Sequence, residues 1–292
     1  MIISVWNQED QDNSRVFTTL LASIATLSYK RKVTIYENSM GDKLLGDMML
    51  GNTYSERLKE EGAWVCSKGA GGTIVPYVQS KYLRSARSKN MVEIVCRHLY
   101  YIPQYNDGSK IVFDLNFYDK MYEYKEEAQK ISDHIIIATA KEESFTTPRV
   151  LGTADRVVVL IPFNEDSISR FLDRYKSIKS KCILVQFVHE DMIRNKRRIS
   201  KMMKGYGFSA SQYRILGFTD KLDYAIRKGN VIDYIRDCIE NRDKNPEELP
   251  FINSLQKLCI DVFGRKELGL AIRSTTIHDV LKKRDPDTEK TL

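Results

Sequence analysis

Apolar and polar positions alternate along this chain in a repeated rhythm, short β-branched runs followed by stretches of helical spacing. Met1–Trp6 is an apolar run that predicts a buried strand. From about Val16 to Leu27 apolar residues recur every three or four positions, as on one face of a helix. Lys32–Tyr36 predicts a second strand, followed by a polar, glycine-containing stretch (38–53) and a helix over Tyr54–Glu61. Gly69–Gly72 reads as a loop, and Pro76 suits the first turn of a helix that continues to about Ser88. Val92–Cys96 and Leu99–Ile102 alternate like strands, Tyr118–Ser132 is a charged helix, and His134–Ala138 a short buried strand.

The second half repeats the rhythm. Strands are predicted over Arg156–Ile161, Cys182–Phe187 and Tyr213–Leu216, and helices over Asp166–Ser177, Met192–Lys204, Leu222–Lys228, Val231–Glu240 and Pro250–Phe263. Strands alternating with helices predict an α/β fold, a mostly parallel twisted sheet with helices on both faces. We read residues 1–264 as one such domain and 265–292 as a polar tail.

Composition narrows the function classes. Hydrophobic residues at 42% and charged residues at 29% fit a globular protein, and no apolar run approaches the ~20 residues needed to span a bilayer. The chain opens directly on a strand, which predicts no signal peptide and a cytoplasmic location. Five scattered cysteines form no C-x-x-C and read as reduced structural thiols. His98, His134, His189 and His278 form no metal-ligand pair, so no metal is predicted. The net charge of +7 permits weak affinity for nucleic acid, anionic lipid or an acidic partner without demanding it.

Residues 7–15, NQEDQDNSR, lie between the first strand and the first helix, where a phosphate-binding loop would stand. Such a loop needs glycines so that backbone N–H groups can turn inward on the phosphates, then a lysine and a Ser/Thr. This one has no glycine and carries Glu9, Asp10 and Asp12 against the single base Arg15. A carboxylate within ~5 Å of a phosphate costs on the order of a few kcal/mol even at an effective dielectric of ~20. The acidic residues suit a helix N-terminus instead, so the stretch reads as an ordinary helix start.

A resemblance becomes visible here. "IISVWNQ", a helix and "KRKVTIYE" resemble the opening of the ParA/MinD family of deviant Walker ATPases. "HLYYIP" (98–103), "SDHIIIATA" (132–140), "TADRVVVLIPFNEDSISRFLDRY" (153–175), "CILVQFV" (182–188) and "RILGFTDKLDYAIRKGNVIDYI" (214–235) follow in the family's order. The resemblance implies a P-loop NTPase-like fold and a vestigial nucleotide site. Glu9 falls on the signature lysine, Asp10, Gln11 and Asn13 on glycines, Ser14 on the phosphate lysine and Arg15 on the magnesium threonine. Ala138 stands at the switch aspartate, and Gln186 is the nearest counterpart of the adenine-reading asparagine. With those marks gone, the site is expected to be empty of ATP and magnesium, with no cofactor and no catalytic residue. Within the family, the "SVW" start, "VPYVQSKYLRSARSKN", "LDYAIRKGNVIDYIRD" and "FINSLQKL" resemble TadZ/CpaE-like proteins of Flp (type IVb) pilus assembly. That resemblance implies a localisation or scaffold role with protein partners of a pilus or secretion machine, at the inner face of the membrane. A homodimer formed without nucleotide would need a constitutive hydrophobic interface.

Two alternatives stay open at this level. Arg194, Lys196, Arg197, Arg198 and Lys201, with Lys204, form a basic helix that is either a solvated face or a patch for non-specific DNA or an anionic membrane. An active NTPase with an unrecognised pocket is the other. Lys81, Arg84, Arg87 and Lys89 form a second basic run, and Ile272, Ile277, Val280 and Leu281 could give the tail a small apolar face. Among sixteen tyrosines, Tyr100, Tyr101, Tyr105, Tyr118, Tyr122 and Tyr124 cluster, which suits either an interface or an extended core.

Overall fold

The computed structural model describes residues 1–8, 11–39, 45–49, 92–95, 97–102, 109–141, 144–193 and 196–270. The readings at Glu9, Asp10, Tyr54–Glu61, Gly69–Gly72, Pro76–Ser88, Arg194 and residues 271–292 of the tail fall outside these residues.

Eight strands form one sheet: β1 (Ile2–Asn7), β2 (Val33–Glu37), β3 (Val92–Val95), β4 (Leu99–Tyr101), β5 (His134–Thr139), β6 (Arg156–Leu160), β7 (Cys182–His189) and β8 (Tyr213–Phe218). Their spatial order is β3-β4-β2-β5-β1-β6-β7-β8. Every neighbouring pair is parallel except β3–β4, so the expected mostly parallel sheet is what forms. The central strands are buried on both faces, which is why β1, β5 and β6 read as unbroken apolar runs rather than alternating ones.

The helices are α1 (Gln11–Leu27), α2 (Lys110–Gln129), α3 (Thr147–Thr153), α4 (Glu165–Tyr175), α5 (Lys196–Gly205), α6 (Asp220–Lys228), α7 (Val231–Glu240) and α8 (Leu249–Phe263). On one face α1 is packed beneath α7 and α8, with Phe17, Leu20, Leu21 and Ile24 meeting Ile235, Leu255 and Leu258. On the other, Trp6, Phe117, Ile137, Phe171 and Met203 form the second core. Glu248, fully buried just before α8, ties that end together. It accepts the Thr219 hydroxyl at 2.8 Å and the Tyr234 hydroxyl, joining the start of α6 to α7.

Four boundaries depart from the sequence reading. First, α1 begins at Gln11 rather than Val16, so half of the nominal loop is helix. Second, α2 begins at Lys110 rather than Tyr118, because apolar residues on two of its faces blur a single helical period. Third, the helix expected from Met192 begins at Lys196, with Glu190–Met192 a 3-10 turn beforehand. Fourth, α3, opened by Pro148, was too short for periodicity to reveal.

Cys182, Cys238 and Cys259 are free and buried, and burial pushes the thiols of Cys182 and Cys238 up to about 12 and about 11. His134 packs edge-on against Phe263, and burial lowers its pKa. Among the described residues no cluster of three or more His, Cys, Asp or Glu is placed to hold a metal ion, and no helix is long and apolar enough to cross a membrane.

Candidate functional site

In an open parallel sheet, ligands bind beyond the carboxyl ends of the strands where the strand order reverses. Here that point is β1: the chain turns to β2 on one side of it and later to β6 on the other. The C-terminal ends of β1, β2 and β5 and the start of α1 meet there, and β2, β5 and α1 contribute polar side chains that are buried, among them Glu37, Thr139, Ser14 and Arg15.

Arg15 lies in the second turn of α1 and is only 4% exposed. Its Nε donates to Glu37 Oε2 at 2.6 Å, one Nη to Asp12 at 3.0 Å and the other to the Ser39 hydroxyl at 3.3 Å. Glu37, the last residue of β2, is fully buried. Beyond Arg15 it accepts the Leu45 N–H at 2.6 Å and the Ser39 hydroxyl at 3.2 Å. Burial pushes its carboxyl up, while the guanidinium and these donors pull it back. For Arg15 the cost of burial is outweighed by Glu37 and Asp12, and its pKa rises. The guanidinium therefore stays charged and held by three partners of its own chain.

A second network joins β2 to the segment after β5. Asn38 Oδ1 accepts the Ala140 N–H at 2.6 Å, and its Nδ2 donates to Thr146 at 3.0 Å. The Ser144 and Thr146 hydroxyls lie 2.7 Å apart, and Ser144 donates to Asp114 on α2 at 3.4 Å. Thr147 donates to the carbonyls of Ala140 and Lys141 at 3.1 and 2.8 Å. A third tie runs beneath: Ser4 and Thr139 share a hydroxyl hydrogen bond at 2.6 Å, and Ser14 donates to the Thr139 carbonyl at 3.4 Å.

The sequence-level candidates separate clearly. Ser14 and Arg15 meet at this point, and both are engaged by the chain itself. Gln11 is the first residue of α1 and Asn13 lies in its first turn. Only residues 8–10 connect β1 to α1. Gln11 and Asn13, which the resemblance aligns with glycines of a phosphate-binding loop, are already helical here. Ala138, buried in β5 opposite Val5 and Glu37, offers no functional group. Gln186 lies farther along the sheet on β7, at a cavity of about 490 Å³ lined also by Asn164, Glu165, Asp166, Met192 and Arg198. Its Oε1 is buried there without a hydrogen-bond partner. The residues present do not fit a magnesium-bound triphosphate: a guanidinium–carboxylate pair occupies the α1–β2 corner, and two carboxylates rim the cavity beside Gln186.

Glu37, Asn38, Ser39 and Thr146 were not among the sequence candidates. Their signal was present in Glu37 and Asn38, polar residues that directly follow an apolar strand and so lie at a sheet edge where ligands bind.

The basic helix forms as α5. Lys196, Arg197, Arg198, Lys201 and Lys204 are exposed, and α5 itself contains no carboxylate. Met203 anchors the helix in the second core.

No family model matches the sequence, and a search of curated proteins finds no relative. Solved structures do match. MinD in the MinC:MinD cell division complex of Aquifex aeolicus is 16% identical, with a TM-score of 0.57 over 93% of this chain and 96% of that one. The cell division ATPase MinD of Pyrococcus furiosus gives 11% and 0.58, over 89% and 97%. A ParA family ATPase of Chlorobium tepidum gives 13% and 0.58, over 89% and 98%. The fold is that of the MinD and ParA ATPases. On the MinD/ParA fold, the head of β1 and the start of α1 is where sequence resemblance places the nucleotide phosphates, and in this chain that place holds Arg15 and Glu37.

Proposed function

We propose that this chain is a MinD/ParA-fold protein without nucleotide chemistry, a pseudo-ATPase that acts as a docking or positioning scaffold. The observation that carries the reading is the buried Arg15–Glu37 pair, at 2.6 Å, at the position the resemblance assigns to the magnesium threonine. The buried Glu37 carboxylate needs a counter-charge, and the chain supplies it as a guanidinium. Sequence resemblance to TadZ/CpaE-like proteins points the scaffold to a Tad-type (Flp, type IVb) pilus-assembly or secretion machine, on the cytoplasmic side of its membrane. The solved complex of MinD with MinC is a precedent for this fold engaging a protein partner. Magnesium-dependent hydrolysis tests the reading: phosphate release from ATP should match buffer alone, and turnover lost in Arg15→Ala would overturn it.

A second reading is favoured by α5, whose exposed cations could meet a phosphate backbone as in a DNA-associated partition protein. If so, random duplex binds at low salt with a steep salt dependence. Replacing Arg197 and Arg198 by Ala then lowers the log–log slope by roughly 2. Absence of binding at low salt removes this reading.

A further inference from the structure

Parallel strands all begin at one end of their sheet, so the segments that lead into them gather there, opposite the Arg15–Glu37 corner. Backbone hydrogen bonds set the entries side by side. The Val33 N–H donates to the His98 carbonyl at 2.7 Å, that of His134 to Lys32 at 3.1 Å, that of Ile135 to Met1 at 2.9 Å and that of Asp155 to Ile2 at 2.8 Å. The turn after α8 joins them, since Gly269 packs against the Arg31 guanidinium.

This end is basic. Lys30 and Lys32 before β2, Arg97 before β4 and Arg156 at the start of β6 are exposed. So are Lys130 after α2 and Arg265 and Lys266 after α8. The same segments carry the exposed carboxylates Asp133, Asp155 and Glu267. Two of them receive backbone N–H groups, Asp155 that of Ile2 at 2.7 Å and Asp133 that of Lys32 at 3.2 Å. The helix dipole accounts for cations at helix C-termini, such as Lys130 and Lys266. It does not account for Lys32, Arg97 or Arg156, which lie beside strands.

Two of the cations are held against backbone preference. Lys30 has a φ of 54° and Arg97 of 59°, and among the described residues they are the only non-glycine residues with positive φ. Lys30 closes α1 at the position glycine usually takes: its N–H donates to the Thr26 carbonyl and that of Arg31 to Ala25. Glycine would sit unstrained at both places, so basic side chains there point to a use for the charge.

The charges cover an area rather than a line. From β4 to β6 the strand entries span about 19 Å, at ~4.8 Å per strand. Across the sheet the cations come from helix layers on both faces, each about 10 Å thick. These segments hold no exposed aromatic or large apolar side chain, so they offer bases nothing to stack on. A duplex, being a rod, meets only a strip of such a patch, whereas a plane of anionic headgroups meets all of it. We propose that this end of the sheet docks the chain on an anionic lipid surface by charge alone, turning the Arg15–Glu37 end away from the membrane. The proposal does not rest on the nucleotide reading, because a chain that bound ATP at the opposite end would carry the same cations.

Flotation of the full chain with vesicles tests it, using phosphatidylcholine with and without phosphatidylglycerol and no nucleotide. The chain should float with the mixed vesicles at low salt, come off as salt rises and ignore phosphatidylcholine alone. Lys30→Gly with Arg97→Gly should weaken vesicle binding at least about tenfold without lowering the melting temperature, since each change removes a cation and relaxes a left-handed residue. Lys32→Gln with Arg156→Gln, at exposed positions, should weaken it similarly. Arg197→Ala with Arg198→Ala on α5 should leave it within about twofold. No binding at low salt overturns the proposal, as does binding that survives both the glycine and the glutamine pairs or falls equally in the α5 pair. So does random duplex DNA that binds more tightly than the vesicles per accessible phosphate and loses that binding in the glycine pair, which would assign this end to nucleic acid.

Discussion

Arg15→Ala is expected to lower the stability of the folded chain by about 3–5 kcal/mol at neutral to alkaline pH, because it leaves the Glu37 carboxyl buried without its counter-ion. For a chain of this size that is a fall of roughly 10 °C in melting temperature. The loss should depend on pH in a defined sense. Burial already holds the Glu37 carboxyl above its ordinary value, and loss of the guanidinium raises it further. The folded state then binds a proton that the unfolded state releases, so stability falls as pH rises above the unfolded carboxyl value. The variant should therefore lose less at mildly acidic pH than at alkaline pH. Joint replacement, Arg15→Met with Glu37→Leu, should recover only part of the loss: an apolar pair needs no counter-ion, but the buried Leu45 N–H is left without its acceptor, at a cost of about 1–3 kcal/mol. Chemical denaturation of the three proteins reads all of these outcomes. A loss under about 1 kcal/mol for Arg15→Ala would mean that the pair does not hold the α1–β2 corner.

Asn38→Ala is the second large effect. It strands the Ala140 N–H and removes the donor to Thr146, both in buried surroundings. Two buried hydrogen bonds, each worth about 1–3 kcal/mol when one partner is deleted, give an expected loss of about 2–4 kcal/mol. The effect should be local. Amide hydrogen exchange should speed up in Ala140, Thr147 and the first turn of α3 before it does in β6 or β7. A uniform change across the sheet would contradict this.

How much of this was legible follows from where the physics is local. β1, β5 and β6 are apolar runs between polar breaks, and their parallel pairing follows from that alone. The glycine-free connection was equally legible, because no packing can give side-chain-bearing residues the freedom of glycine there. The start of α1 was not: Asp12, Asn13 and Ser14 have modest helix propensity, and their helical state depends on burial against β5 and on the Arg15 ties. The partner of Arg15 was hidden for the same reason. Glu37 is 22 residues away in the chain, and only the β2–β5–β1 order brings the end of β2 to α1. The start of α2 was blurred because its two apolar faces overlap in one periodicity.

The central claim is that the place where this fold family is expected to hold a triphosphate is filled by the chain's own ion pair. Isothermal titration calorimetry with millimolar ATP and magnesium tests it most directly, run on the native chain and on Arg15→Met with Glu37→Leu. A flat trace for both, above the heat of dilution, is the predicted result: with no glycine before α1 and the helix already under way at Gln11, removing the pair does not create a phosphate site. Saturable binding by the native chain, weakened by changes at Arg15 or Glu37, would contradict it and return the site to nucleotide chemistry.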